Sequence, residues 1–236
     1  MLKHRSTQSE IMDELTLGGE DMAQTLRELK FINHWLGGNS VTLRGLERLL
    51  RTAGSKVPAG PLRIADLGCG GGDMLELMAG WARKRQLDVQ FTGVDANAYI
   101  VSYARENTAR FPEIAYRCED IFSPRFAGQA YDIVTCTLFC HHFRDGELVQ
   151  LFRQLKAQAR VGLVINDLHR HPLAYHSISW LTRWFSKSYL VKNDAKLSVW
   201  RAFRRRELAA VLAEAGWRNV SIRWSWAFRW QVVAWQ

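Results

Sequence analysis

Arg63-Ile64-Ala65-Asp66-Leu67-Gly68-Cys69-Gly70-Gly71-Gly72-Asp73-Met74-Leu75 decides how this chain is read. Leu62, Ile64, Ala65 and Leu67 surround a lone Asp66 and read as a buried parallel strand. The glycines then form a loop, and a helix restarts at Asp73 with Met74, Leu75, Leu77 and Met78 inward. A strand, a glycine loop and a helix in that order make a nucleotide site, because the helix N-terminus presents unpaired backbone N–H groups. Glycine permits positive φ there and lets the backbone approach a ligand that a Cβ would repel. Asp66, at the end of the strand, can accept from a cationic ligand group.

Two glycine-loop patterns fit such a site. A dinucleotide fingerprint that starts at Gly68 needs Gly or Ala at the position of Asp73, whose carboxylate would face the pyrophosphate. That weakens an NAD-dependent oxidoreductase reading. The stretch instead resembles motif I of the class I S-adenosylmethionine-dependent methyltransferases, acidic-x-Gly-x-Gly-x-Gly, through Asp66, Gly68, Gly70 and Gly72. Their ligand carries an amino acid end and no phosphate, so an acidic loop is tolerable.

Working outward, Val89–Asp95 reads as the second strand, Asn97–Thr108 as a helix and Ile114–Cys118 as the third strand. Asp95, at a strand tip beside the glycine loop, can accept both hydroxyls of a ribose and resembles the family's ribose acid. Asp120 and Ile121 match the place where the family puts an acid on the adenine amino group and an apolar neighbour on the ring. Tyr131–Leu138 resembles the fourth strand, Asp145–Ala159 a helix and Arg160–Asn166 the fifth strand. The resemblance thus implies S-adenosylmethionine as cofactor, S-adenosylhomocysteine as product, and contacts from Asp66, Gly68, Cys69, Gly70, Gly72, Asp95, Ala96, Asp120, Ile121, Thr137 and Leu138.

Strand and helix alternate through five strands, and Trp217–Phe228 with Arg229–Trp235 adds an antiparallel pair that lacks a strong turn signal. The expected fold is α/β: a doubly wound, mostly parallel seven-stranded sheet of the Rossmann-like methyltransferase kind. Before it, residues 1–58 read as a helical cap. Its pieces are Glu10–Leu17, then Asp21–Leu36 after Gly18-Gly19, then a helix from Asn39 or Ser40 after Gly37-Gly38. Residues 59–236 form the cofactor domain. Within it, residues 167–203 are too long for a simple connection and too aromatic for disorder, so they read as a lid with one helix over His171–Ser186, ahead of a last helix at Arg204–Ala215.

The 236 residues are 47% hydrophobic, enough for one α/β domain with a substantial core. No apolar run approaches the roughly 18 residues of a membrane span, and Met1–Ser6 lacks a signal-peptide core, so a cytoplasmic location is expected. Cys69, Cys118, Cys136 and Cys140 lack zinc-site spacing. Cys136 and Cys140 could reach a metal alongside His141, but buried thiols suit a reducing compartment better, and no metal is expected. The net charge of +9 is uneven: residues 1–168 hold 20 Lys+Arg and 20 Asp+Glu, residues 169–236 hold 12 and 3. A solvated basic face, an anionic membrane surface or nucleic acid would each account for this.

Methyl transfer is an in-line displacement at a sulfonium carbon, and a hydroxyl acceptor gains from a base within reach. His142 and His141, after the fourth strand, are the candidate bases; His169, His171 and His176 lie in or beside the lid. The acceptor pocket is expected from these three with Asn33, His34, Trp180 and Trp184. Two stretches, Leu29–Gly38 and Asn166–Tyr175, also resemble a narrower group of bacterial small-molecule methyltransferases tied to polyketide or aromatic metabolites. That resemblance implies O-methylation of an aromatic, quinone-like or polyketide acceptor. An RNA ribose methyltransferase stays open because of the basic C-terminal part. Thr137-Leu138-Phe139-Cys140, however, offers neither the Pro-Pro-aromatic motif nor the Pro-Cys nucleophile of base methyltransferases. A non-catalytic cofactor-binding protein and a lid that touches membrane through Arg183, Lys187 and Lys192 also stay open, and the oligomeric state is not legible.

Overall fold

The computed structural model describes residues 2–58 and 60–236. Met1, where the N-terminal reading begins, and Ala59, where it sets the domain boundary, lie outside the described residues. Strands β1 (Leu62–Leu67), β2 (Val89–Asp95), β3 (Ile114–Cys118), β4 (Tyr131–Thr137), β5 (Ala159–Leu168), β6 (Asn219–Ser225) and β7 (Arg229–Trp235) form one sheet in the order β3-β2-β1-β4-β5-β7-β6. The first five run parallel; β7 lies antiparallel between β5 and β6. This is the expected Rossmann-like methyltransferase fold. The strand order reverses between β1 and β4, and at the carboxyl ends of such a switch point a crevice opens for ligands.

Helices cover both faces. On one lie α2 (Asn39–Ala53), α3 (Asp73–Lys84) and α4 (Ala98–Asn107), with α1 (Gly19–Trp35) packed on α4 through Met22, Leu26 and Ile100. Leu46 and Leu49 of α2 with Leu75 and Met78 of α3 meet Ile64, Phe91 and Val164 of the sheet. α2 rides close to β5 because its Gly45 has no Cβ; one would fall 2.5 Å from Val164 Cγ1. The other face carries the short α5 (Pro124–Ala127), α6 (Asp145–Gln158) and, further along the chain, α9 (Arg205–Glu214). Leu148, Phe152, Leu208 and Leu212 pack there against Leu163 and Val232. Each fully buried Leu or Phe in these layers contributes roughly 1.5–3 kcal/mol.

Two expectations change. Glu10–Leu17 is not a helix; only Ile11–Asp13 makes a 3-10 turn inside an N-terminal strap that otherwise has no regular secondary structure. The backbone N–H groups of Ile11 and Met12 donate to the buried Asp194 carboxylate, each at 3.0 Å, rather than to a helical ladder. The lid holds two helices, α7 (Pro172–Phe185) and α8 (Tyr189–Arg201), packed on each other. The Ser188 hydroxyl caps the second by accepting from Val191 N, a stop and restart that the mixed aromatic sequence hides. The last hairpin turns through Ala227 and Phe228 at φ 58° and 55° without glycine, which is why no turn signal stands there. No helix among the described residues is long and apolar enough to cross a membrane.

Candidate active site

A cavity of about 1520 Å³ opens at the carboxyl ends of the parallel strands. A single small-molecule site takes roughly 300–1,000 Å³, so this one has room for two ligands side by side. Its floor on the β1–β2 side is the glycine loop. Gly68 stands at φ +64°, and a Cβ on it would fall 2.1 Å from Cδ2 of Phe139, so the bare backbone seats that ring. Leu138 takes φ 54° to swing the chain out of β4, with its N–H donating to Asn166 O at 2.8 Å. A non-glycine residue in that region stores strain, and it does so at the rim of the cavity.

Asp66, Gly68, Cys69, Gly70, Asp95, Ala96, Asp120, Ile121, Thr137 and Leu138 all line the cavity. Gly72 does not. It caps α3 at φ +79°, where a Cβ would fall 2.3 Å from the Tyr116 hydroxyl, so the turn by itself requires glycine there. Asp66 is buried and accepts from the Thr135 hydroxyl at 2.6 Å; burial pushes its carboxyl up to about 7, against that hydrogen bond. Asp95 accepts from Gly70 N at 3.3 Å and Asn97 N at 3.0 Å, and burial raises it above the ordinary carboxylate range. Asp73 pairs with Lys30 of α1 at 2.9 Å, so the acidic loop is partly neutralised from the cap.

On the other side of the cavity stand the histidines that follow β4. Asp13 Oδ1 binds His142 Nδ1 at 2.6 Å, and Asp167 Oδ1 binds the buried His141 Nδ1 at 2.7 Å. Asp13 Oδ2 also accepts from Arg201 Nη1 at 2.6 Å. Burial opposes ionisation of Asp13, but the bonds from His142 and Arg201 outweigh it and hold the carboxyl well below its ordinary range. Asp167 is lowered in the same way, burial being overcome by His141. Arg201 further donates to the carbonyls of His141, at 3.1 Å, and His142, while Arg5 donates to that of Phe143 at 2.8 Å. The loop that carries both imidazoles is therefore tied down from behind.

The expected acceptor residues divide. Asn33 lines the cavity, its Oδ1 accepting from the buried Arg229 at 2.8 Å, and Trp180 lines the mouth while 63% exposed. His34 follows Asn33 by about 100° around α1 and points to solvent. β5 runs on to Leu168 and a bridge joins His169 to Phe203, so His169 continues the carboxyl end of β5 and lies against Trp230. His171 caps α7, its Nδ1 accepting from Leu173 N, and stacks on Phe228. The inner stripe of α7 is Ala174, Ser177, Ile178 and Leu181; His176 is exposed away from it, and Trp184, a turn beyond Leu181 and beside Trp180, is exposed and outside the cavity. These five, His34, His169, His171, His176 and Trp184, do not line this cavity. Sequence reading misses Glu10, Asp13, Asp194, Arg201 and Arg229, and gives Asp167 no role. They come from the strap, α8 and the edge of β7, and no local pattern links them.

Residues 64–162 match the methyltransferase domain family. A ubiquinone biosynthesis O-methyltransferase of Coxiella burnetii is 26% identical over 140 residues, which is 58% of this chain and 53% of that protein. The chain thus spans about half the length of the curated relatives it matches. Among solved structures, human N-acetylserotonin methyltransferase in complex with S-adenosylmethionine superposes at a TM-score of 0.61, with 18% identity, over 92% of this chain and 56% of that one. A methyltransferase from Aquifex aeolicus superposes at 0.56, with 16% identity, over 80% and 87%. At such identities the two structures speak for the fold.

Proposed function

We propose that the chain is a class I S-adenosylmethionine-dependent methyltransferase, residues 64–162 being the part that matches the methyltransferase domain family, and that it O-methylates a small aromatic, quinone-like or polyketide acceptor. The observation that carries the proposal is the His142 imidazole, held by Asp13 at the end of β4 in the same cavity as Asp66 and Asp95. With Nδ1 on a carboxylate, the neutral ring keeps its proton there and leaves Nε2 as the lone pair that takes a hydroxyl proton. The bound cofactor supplies an electrophilic methyl group. The protein's own task is alignment: Asp95 for the ribose, Asp120 and Ile121 for the adenine, and Asp66 for the cationic amino acid end.

Apolar side chains of α7 and α8, among them Ile178, Leu181, Val191 and Val199, close over the other half and suit an aromatic acceptor. The relative from Coxiella burnetii acts in ubiquinone biosynthesis, a chemistry of the same class. The test is an assay of ligand-stripped protein with S-adenosylmethionine against a panel of phenols and quinols. Methyl ether formation that His142→Ala removes, with S-adenosylhomocysteine binding retained, supports the proposal. Tight cofactor binding with no transfer across the panel overturns it in favour of a non-catalytic role.

A further inference from the structure

Glu10 lies on the strap, buried, with Oε1 lacking any hydrogen-bond partner and standing 3.7 Å from His141 Nε2. Arg201 Nε stands 3.9 Å from this oxygen, too far to donate a hydrogen bond, so the buried oxygen has no partner at bonding distance, which is costly. One nitrogen from each of His141 and His142 and one carboxylate oxygen of Glu10 lie within 4.8 Å of one another. Behind each imidazole sits a carboxylate on Nδ1, Asp167 for His141 and Asp13 for His142. Carboxylate-backed imidazoles are the arrangement that fixes the tautomer and raises the basicity of metal-ligating histidines.

We propose that Glu10, His141 and His142 bind a divalent transition-metal cation of the Zn2+ or Co2+ kind. Two imidazoles and one carboxylate suit such ions rather than Mg2+ or Ca2+, which prefer all-oxygen shells. Three protein ligands leave a coordination position open, and all three residues line the cavity. Bonds of about 2.0–2.2 Å draw the three atoms closer than their widest separation, a contraction the long Glu10 side chain can make. Cys136 and Cys140, the thiols that the sequence offers to a metal, are buried and belong to no such cluster among the described residues. What the cation does there rests on the acceptor reading above. With the cation bound, His142 Nε2 is a ligand and not the base: an acceptor hydroxyl bound to the cation gives its proton to solvent, whereas without the cation His142 takes it.

The experiment is a titration of the full chain, dialysed against chelator, with Co2+ followed by visible absorption, and then displacement by Zn2+. One equivalent of Co2+ should raise a d–d band that Zn2+ bleaches. Glu10→Gln should weaken Co2+ binding at least about tenfold, and Asp167→Asn by about 10–100-fold. Unchanged S-adenosylhomocysteine binding by Glu10→Gln shows that the variant is folded. Absence of the band in excess Co2+, or an unaltered titration in folded Glu10→Gln, overturns the proposal. Methyl transfer to phenols by protein that binds no Co2+ would sink the cation site alone. A Co2+ band without transfer to any acceptor would sink the functional reading alone.

Discussion

The two halves of the cavity are built on opposite plans. The half over β1, β2 and β3 is made of consecutive βα units, so Asp66, Gly68, Gly70 and Asp95 reach it through backbone regularity within a short stretch of chain. The half over β4 and β5 is assembled from the strap, the loop after β4, α7, α8 and the start of β7, and its polar residues meet only in space. A constant ligand can be held by local motif geometry. A particular acceptor, with the proton that must leave it, needs side chains gathered from distant elements and locked by one another.

The sharpest way to break that contrast is to remove a side chain on which the second half depends. His142→Ala should lower turnover by roughly 100- to 10,000-fold, the range of a positioned acid–base group, while S-adenosylhomocysteine affinity stays within about twofold. A parallel loss of both, by steady-state kinetics and calorimetry, would mean that the halves are not separable.

The next effect belongs to the first half. Asp66 is raised to about 7 by burial. As pH climbs from the ordinary carboxylate range toward 7, the unfolded chain ionises this group while the folded chain keeps its proton, so stability falls. A displacement that large corresponds to roughly 4 kcal/mol. Asp66→Asn should therefore stabilise the ligand-free protein at pH 8 relative to wild type and gain much less at pH 5, measured by thermal melts. Cofactor affinity of the wild type should drop as pH falls through about 7 and lose that dependence in the variant. A flat profile in the wild type would remove Asp66 from the cationic end of the ligand.

Asp95→Ala should weaken cofactor binding by about 1–3 kcal/mol, the cost of hydrogen bonds lost to the ribose. Unchanged affinity in calorimetry would take Asp95 out of the site. The smallest effect sharpens the acceptor side. Trp180→Ala, at the mouth, should raise the acceptor KM by about 1 kcal/mol equivalent, whereas Trp184→Ala, exposed beyond the cavity, should leave it unchanged. Equal effects would mean that the aromatic face of α7 acts as a whole.

The same contrast explains what the sequence discloses. β2 and β3 stand at their expected bounds, and β1, β4 and β5 within a few residues, because buried parallel strands are apolar runs closed by loops or caps. Asp66 and Asp95 sit at the carboxyl ends of β1 and β2, and Asp120 comes just after β3, so the strand pattern alone places all three at the rim of the cavity. Glu10 and Asp13 read as residues of an amphipathic helix, since nothing near them announces that Asp194 takes the amides of Ile11 and Met12. His169, His171 and His176 look like pocket residues only if the lid starts where β5 still continues. Gly72 matches the motif by spacing although its reason is the Tyr116 hydroxyl beneath it.

The most direct measurement is calorimetric titration of ligand-stripped protein with S-adenosylmethionine, S-adenosylhomocysteine and NAD in parallel. We expect micromolar binding of the first two and none of NAD. Binding of NAD alone, or of none of the three, would contradict the assignment of the glycine-loop half and remove the premise on which the acceptor half is read.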